Sequence, residues 1–263
     1  MPMRLNFAVR SEIGRVRTNN EDNFFCNGVY MSGEESNKPF FMMGSAEVPS
    51  MFAVFDGMGD HDCGEVASLT AAETLSEYSG EILKGEHESV DSYVKAANAR
   101  LTDLMNTKGI RTGTTMVLAV FGKHFFTAYN LGDSRIYSTD KNGILTRIND
   151  DHTVAEDMIR EGRLSPRHAE DSRWSNILTR YIGMGADEFA STPDIYALRG
   201  YDENRRVLMC SDGLNMMLKH REISDLMRNY DTPEECVNAL TEAALMKGGV
   251  DNVTCIVLDI EGD

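Results

Sequence analysis

Met51-Phe52-Ala53-Val54-Phe55-Asp56-Gly57 decides how this chain is read. Five apolar residues run into a carboxylate and then a glycine. Such a run is a strand buried on both faces, with Asp56 delivered at its end and Gly57 free to turn the backbone. A lone Asp-Gly is a common turn dipeptide and signals little. Here the design recurs. Val207 to Gly213 (VLMCSDG) repeats it, His124 to Asp133 (HFFTAYNLGD) ends on Gly-Asp, and Asp251-Asn252 stands directly before the apolar run Val253 to Leu258. A fifth acidic point, Glu21-Asp22, precedes Asn23-Phe24-Phe25-Cys26. Antiparallel pairing of a strand that starts at Asp22 with one that ends at Asp56 brings those two acids side by side.

Bulk composition narrows the classes. The 263 residues show no seam and are read as one domain over 1–263. An apolar fraction of 41% is ordinary for a soluble globule. The formal charge of −16 argues against nucleic acid and anionic membrane as main partners. It also means that an anionic substrate must be met by cations in the site. The five cysteines are odd in number, form no CxxC pair and sit mostly in apolar runs, as reduced buried thiols of a cytoplasmic protein do. The start, MPMRLNFAVRSE, lacks the apolar core of a signal peptide, and no run approaches a membrane span.

Strands are expected over 5–9, 23–30, 114–121, 125–131, 134–138, 206–210 and 253–260, with Asn142-Gly143 as a hairpin turn. Helices are expected over 64–83 and 90–107, which pack as an antiparallel pair, and over 153–161 and 221–230. A last helix starts at Thr232-Pro233-Glu234-Glu235, with Thr as N-cap and Pro at the first position. Residues 31–50 read as a surface insert or docking loop, with a short strand at 40–43, lying at the far end from the chemistry. Residues 163–187 are polar and irregular and read as a mobile segment near the site. Many short antiparallel strands with two helix pairs point to an α+β fold, with sheets packed face to face and helices outside.

Crowded carboxylates raise each other's pKa and cannot all stay ionised without cations. Oxygen ligands without His or Cys companions select hard ions, Mg²⁺ or Mn²⁺. An EF-hand is excluded, because the twelfth positions counted from Asp56 and Asp60 are Ala67 and Ala71 instead of Glu. Two ions that share a carboxylate can hold a bridging water with its pKa lowered towards about 7, which suits in-line attack on phosphorus. Arg17 could grip phosphate oxygens with two nitrogens, or be an ordinary surface arginine. A structural Ca²⁺ site is the alternative for the acids.

The motifs RTNNED (17–22), VFDGMG (54–59), GEVAS (64–68), GTT (113–115), NLGDSR (130–135), NILTR (176–180), CSDGL (210–214) and GVDNVT (249–254) occur in this order. Together they resemble the bacterial PP2C-type (PPM) metal-dependent serine/threonine protein phosphatases. The resemblance implies a central sandwich of two antiparallel β-sheets flanked by pairs of α-helices, a four-layer αββα fold. It implies that Asp56 bridges two Mg²⁺ or Mn²⁺ ions, that the Gly57 carbonyl binds one of them, and that Asp212 and Asp251 ligate the other. Asp133 belongs, with Asp212, to a third, weaker site. Glu21 and Asp22 hold metal-bound waters, Arg17 receives the phosphate, and Thr115 lines the cavity. The 163–187 segment corresponds to the flap beside the site.

Two departures stand out. Bacterial relatives read DGMGG, whereas this chain has Asp60 at the second glycine, read here as a cap for the helix that follows. Eukaryotic members carry a histidine after the DG where this chain has Met58; His61 and His152 are the candidates for a general acid by position, but each is read first as a solvated histidine without a catalytic part, with a metal-bound water as the other proton donor. The expected activity is hydrolysis of phosphoserine and phosphothreonine in proteins by direct attack of a metal-bridging water, with no phosphoenzyme, opposing a Ser/Thr kinase. The chain is expected to act as a cytoplasmic monomer. A non-catalytic binding module of the same fold and a phosphatase of small-molecule phosphates are the alternatives.

Overall fold

β4 (Ser50–Gly59) is apolar from Met51 to Phe55 because both of its faces are covered. Phe52 and Val54 point into a core between two sheets, whereas Met51, Ala53 and Phe55 point outward under helices. This arrangement comes from a computed structural model, which describes residues 3–33, 38–59, 63–85, 87–123, 125–169, 172–185, 192–199 and 206–261.

The first sheet runs in the order β3 (Phe40–Glu47), β1 (Arg4–Glu12), β12 (Val253–Glu261), β11 (Arg206–Cys210), β8 (Arg135–Thr139), β9 (Leu145–Arg147). The second runs β10 (Asp194–Arg199), β7 (Phe125–Leu131), β6 (Met116–Phe121), β4, β2 (Asp22–Cys26), with β5 (Thr112–Thr114) paired to the end of β4. The pairings are antiparallel throughout. The sandwich core centres on Phe52, whose ring meets Phe7 at 5.0 Å and Phe121 at 5.9 Å, both edge-on. Truncating such a buried ring costs about 3–5 kcal/mol.

Helices cover the outer faces. α1 (Gly64–Ile82) and α2 (His87–Lys108) lay Ala67, Ala71, Leu75, Tyr93 and Ala97 on the second sheet. α5 (Asp212–Met217), α6 (His220–Asn229) and α7 (Pro233–Met246) lay Leu214, Ile223, Val237 and Leu240 on the first. The result is the expected α+β fold of four layers. α7 starts as its sequence predicts, with the Thr232 hydroxyl accepting the Glu235 N–H at 3.2 Å. α3 (Val154–Arg160) and α4 (Pro166–Ala169) stand beside the sandwich.

Two expectations need correcting. The described part of 31–50 is no peripheral loop: β3 pairs with β1 residue for residue, from Phe40 opposite Ser11 to Glu47 opposite Arg4. It crosses to the other sheet and spans its length instead of staying at the far end, and its weak alternation reflects an edge strand that buries little. β2 stops at Cys26 because Asn27 and Gly28 adopt positive φ and turn the chain. Within the described part of 163–187, backbone hydrogen bonds join Val154 to Ile177, Thr179 to His152, and Thr114 and Ile182 in both directions. As expected of most of the cysteines, Cys26, Cys210, Cys236 and Cys255 are buried; Cys63 is partly exposed, and all five are free thiols.

Candidate active site

β2 and β4 pair in the register that sets Asp22 directly opposite Asp56. The same end of the sandwich receives Asp212 after β11, Asp251 before β12 and Asp133 on the turn from β7 to β8. The two acids that close β11 and open β12 come from the first sheet, and those of β2 and β4 from the second, so the cluster spans both layers.

Backbone constraints hold each acid. The Asp56 N–H donates to the Thr115 hydroxyl at 3.0 Å, and the Asp56 carbonyl accepts from the Thr115 N–H at 2.9 Å. Thr115 and Ser134 hydroxyls meet at 2.7 Å. Gly57 lies where a Cβ would overlap the carbonyl oxygens of Gly64 and Glu21, so only glycine lets the chain pass. Glu21 accepts the Gly64 N–H at 3.1 Å and so ties the start of β2 to the first turn of α1. Asp22 is 2% exposed and accepts from the Ser211 hydroxyl at 2.7 Å. Arg17 places one nitrogen 2.7 Å from Asp251 Oδ2 at the rim, with its side chain 47% exposed.

The electrostatics are those of crowded acids. Burial pushes the Asp22 carboxyl up to about 7; hydrogen bonds from Ser211 and Thr254 oppose this, and Asp212 and Asp251 add to it. Burial, then Asp212, Asp22, Asp133 and Asp251, hold Asp56 well above the usual carboxylate range. Asp133 is raised likewise by burial and by Asp212 and Asp151. Asp212 rises to about 6 through burial and Asp251, against a hydrogen bond with Asp56. The Asp251 contact is the main cause that raises Arg17. Arg17 and Arg135 oppose these rises in part, but two arginines cannot balance five acids.

Hard divalent cations fit this donor set: it is oxygen only, acidic and short of positive charge. No three acid, His or Cys side chains close on one point as a finished ligand shell among the described residues. The acids are partly turned to protein partners, Asp251 to Arg17 and Asp22 to Ser211. The convergence is in charge and in strand register, and a shared Asp56–Asp212 contact is its centre.

Of the remaining candidates, His152 is buried, not solvated. Its Nδ1 accepts the Gly132 N–H at 3.1 Å, which puts the ring proton on Nε2, 3.1 Å from Asp194. Burial and then Arg180 lower its pKa. It braces the turn that carries Asp133, with its Nε2 turned to Asp194 and Arg180. Asp60 and His61 lie outside the described residues.

Sequence reasoning missed the polar ties between the acids. Asn252 accepts the Glu21 N–H at 2.8 Å and donates to the carbonyls of Ile13 and Asn19, each at 2.8 Å. Ser211 also accepts the Thr254 N–H, and Thr254 meets Ser11 at 2.7 Å. The signal was a polar residue inside an apolar strand end, as in CSDG and DNVT.

The sequence profile of the family Protein phosphatase 2C matches residues 9–253. The chain belongs to the protein phosphatase 2C family. It is 29% identical to the serine/threonine phosphatase stp of Listeria welshimeri over 95% of this chain and 94% of that protein. The solved serine/threonine phosphatase PstP/Ppp of Mycobacterium tuberculosis superposes with a TM-score of 0.78 at 28% identity, covering 98% of this chain and all of that one. The catalytic domain of the serine/threonine protein phosphatase PstP, solved with two manganese ions, is 27% identical with a TM-score of 0.77, over 99% of this chain and all of that one. The fold of this 2C-family chain is thus that of bacterial members, one of which holds two Mn²⁺.

Proposed function

We propose that this chain hydrolyses phosphoserine and phosphothreonine in proteins with Mg²⁺ or Mn²⁺, by direct attack of water and without a phosphoenzyme. The observation that carries the reading is the meeting of Asp22, Asp56, Asp133, Asp212 and Asp251 at one end of the sandwich. Asp56 and the Gly57 carbonyl would hold one ion, Asp56, Asp212 and Asp251 a second, and Asp133 with Asp212 a weaker third. Bound ions supply acidity for the attacking water and positive charge for the phosphoryl oxygens. Arg17, half-exposed at the rim, takes phosphoryl oxygens in exchange for its contact with Asp251. Thr115 fixes the backbone of Asp56, and Glu21 fixes β2 against α1. Asp22 would order water beside bound ions. The neighbouring hydroxyls of Thr115, Ser134 and Ser211 are spent on protein hydrogen bonds, which is consistent with water as the nucleophile.

In this reading the chain is a single domain and a cytoplasmic monomer that reverses the work of a Ser/Thr kinase. No helix of the described residues is long and apolar enough to cross a membrane. The test pairs rate with stability. A phosphothreonine peptide should be hydrolysed only with Mn²⁺ or Mg²⁺, and Mn²⁺ should raise the melting temperature; Asp56→Asn and Asp212→Asn should abolish both effects. Full turnover in chelator would overturn the proposal, and stabilisation by Ca²⁺ with no turnover in Mn²⁺ would return the site to a structural role.

A further inference from the structure

A groove of about 560 Å³ opens from the acid cluster, with Asp133 and Asp212 at its inner end. That volume lies within the ~300–1,000 Å³ typical of ligand-holding pockets. One wall is continuous chain, from Asp212 through α5 to Lys219 and His220. The floor holds Arg135, Arg147 and Asp151.

Apart from the two cluster acids, the charges lining it are Arg135, Arg147, Lys219 and Lys247 against Asp151 and Glu156. With Asp133 and Asp212 counted the lining balances, four cations against four acids; beyond that inner end the cations outnumber the acids, in a protein of net charge −16. Asp151 is shared: Arg135 donates to both of its oxygens, at 3.1 and 2.7 Å, and Arg147 approaches at 2.7 Å. One carboxylate between two guanidinium groups leaves one positive charge over, and Glu156 lies close enough to Arg147 to offset part of it. The Arg147 contact is a charge contact without hydrogen-bond alignment, while the side chain as a whole stays about a quarter exposed in the groove. Lys247 is held by Glu222 at 2.6 Å. Lys219 is exposed, and no ion pair engages its ammonium among the described residues; its backbone N–H, not its side chain, meets Glu222 at the start of α6.

We infer that this groove binds a second anionic side chain of the substrate protein, a phosphoryl group or a carboxylate, about three residues from the phosphoresidue being hydrolysed. The spacing follows from the wall. α5 spans six residues from Asp212, about 9 Å at ~1.5 Å per residue. An extended peptide covers that distance in about three residues at ~3.3–3.6 Å each. Arg147 and Lys219 then flank the anion, with N–H groups that carboxylate and phosphoryl oxygens both accept. The inference rests on the phosphatase reading above.

The experiment is a phosphothreonine peptide series with neutral flanks, carrying one glutamate or one second phosphothreonine at each position up to four residues either side. The readout is the ratio of kcat/KM for anionic and neutral peptides on one preparation, so that partial loss of folded protein cancels. The expected result is a preference of about tenfold at a spacing near three. Lys219→Glu should bring it within about twofold, Lys219→Ala should fall between, and Arg147→Gln should also lower it. Peptides carrying glutamate and those carrying phosphothreonine separate the two anion sources. A flat series in the unsubstituted chain, or a preference that survives Lys219→Glu, overturns the inference. p-Nitrophenyl phosphate keeps the two readings apart: if the unsubstituted chain with Mn²⁺ does not hydrolyse it, the phosphatase reading fails, whereas hydrolysis with a flat peptide series fails the groove alone.

Discussion

Asp22→Asn should make the metal-free protein more stable at pH 8 while weakening its response to Mn²⁺. The carboxyl is 2% exposed, and its pKa rises from 3.8 to about 7, chiefly through burial. A raised folded-state pKa means that the folded protein holds this proton more tightly than the unfolded chain. The associated stability is present below about pH 4 and is lost as pH climbs through about 7. The gap between 3.8 and about 7 corresponds to about 4 kcal/mol once Asp22 is ionised in both states. For a chain of this length, where 1 kcal/mol moves the melting temperature by about 2–4 °C, that is roughly 10 °C. An asparagine carries no charge to desolvate, and its side-chain oxygen can still accept from Ser211. The assay is thermal unfolding in chelator at pH 5 and pH 8, with and without the substitution. The unsubstituted protein should lose stability over this interval, and the substituted one should lose less. If the chelated protein keeps its stability up to pH 8, or if Asp22→Asn is the less stable at pH 8, then the acids are not crowded in the way argued here. Added Mn²⁺ should reverse the order, because ions supply the positive charge that protons supply at low pH.

Three further outcomes are expected. Gly57→Ala should lower stability by about 1–3 kcal/mol in urea titration, because the new methyl would overlap the backbone oxygens of Gly64 and Glu21, and metal-dependent turnover should fall with it. Arg17→Ala should leave stability within about 1 kcal/mol, since its ion pair with Asp251 is part-exposed, yet reduce kcat/KM on phosphopeptides by about tenfold or more. Asn252→Ala should cost about 2–4 kcal/mol by leaving the Glu21 N–H and the Ile13 and Asn19 carbonyls without their partner, and should weaken Mn²⁺ binding measured by calorimetry.

The sheet layers and the acid cluster were legible because both follow from local pattern. β4 is apolar over both faces and ends in Asp-Gly, so burial and the exit of Asp56 are written in one stretch. The pairing of Asp22 with Asp56 needed only an antiparallel register. β3 was legible only in part: an edge strand with exposed Phe41 and Met43 shows no clean alternation, and its partner β1 lies far away in sequence. α5 was missed because six residues are too few for a helical period to appear. His152 looked solvated because nothing local reveals that Gly132, Asp194 and Arg180 close around it.

The ties that no pattern announced explain why the two sheets keep one offset. Ser211, directly after β11 of the first sheet, donates to Asp22 in the second, while Asn252, before β12, accepts from the residue that precedes β2. A slip of β2 by one residue would turn Asp22 to the other face and break both contacts. Directed hydrogen bonds at one end add an angular constraint to the interdigitated apolar packing between the sheets. The end of the sandwich that carries the acids is therefore also where its layers are locked. Ions bound there would bridge carboxylates from both sheets and tighten the same joint, which couples the occupancy of the site to the rigidity of the whole fold.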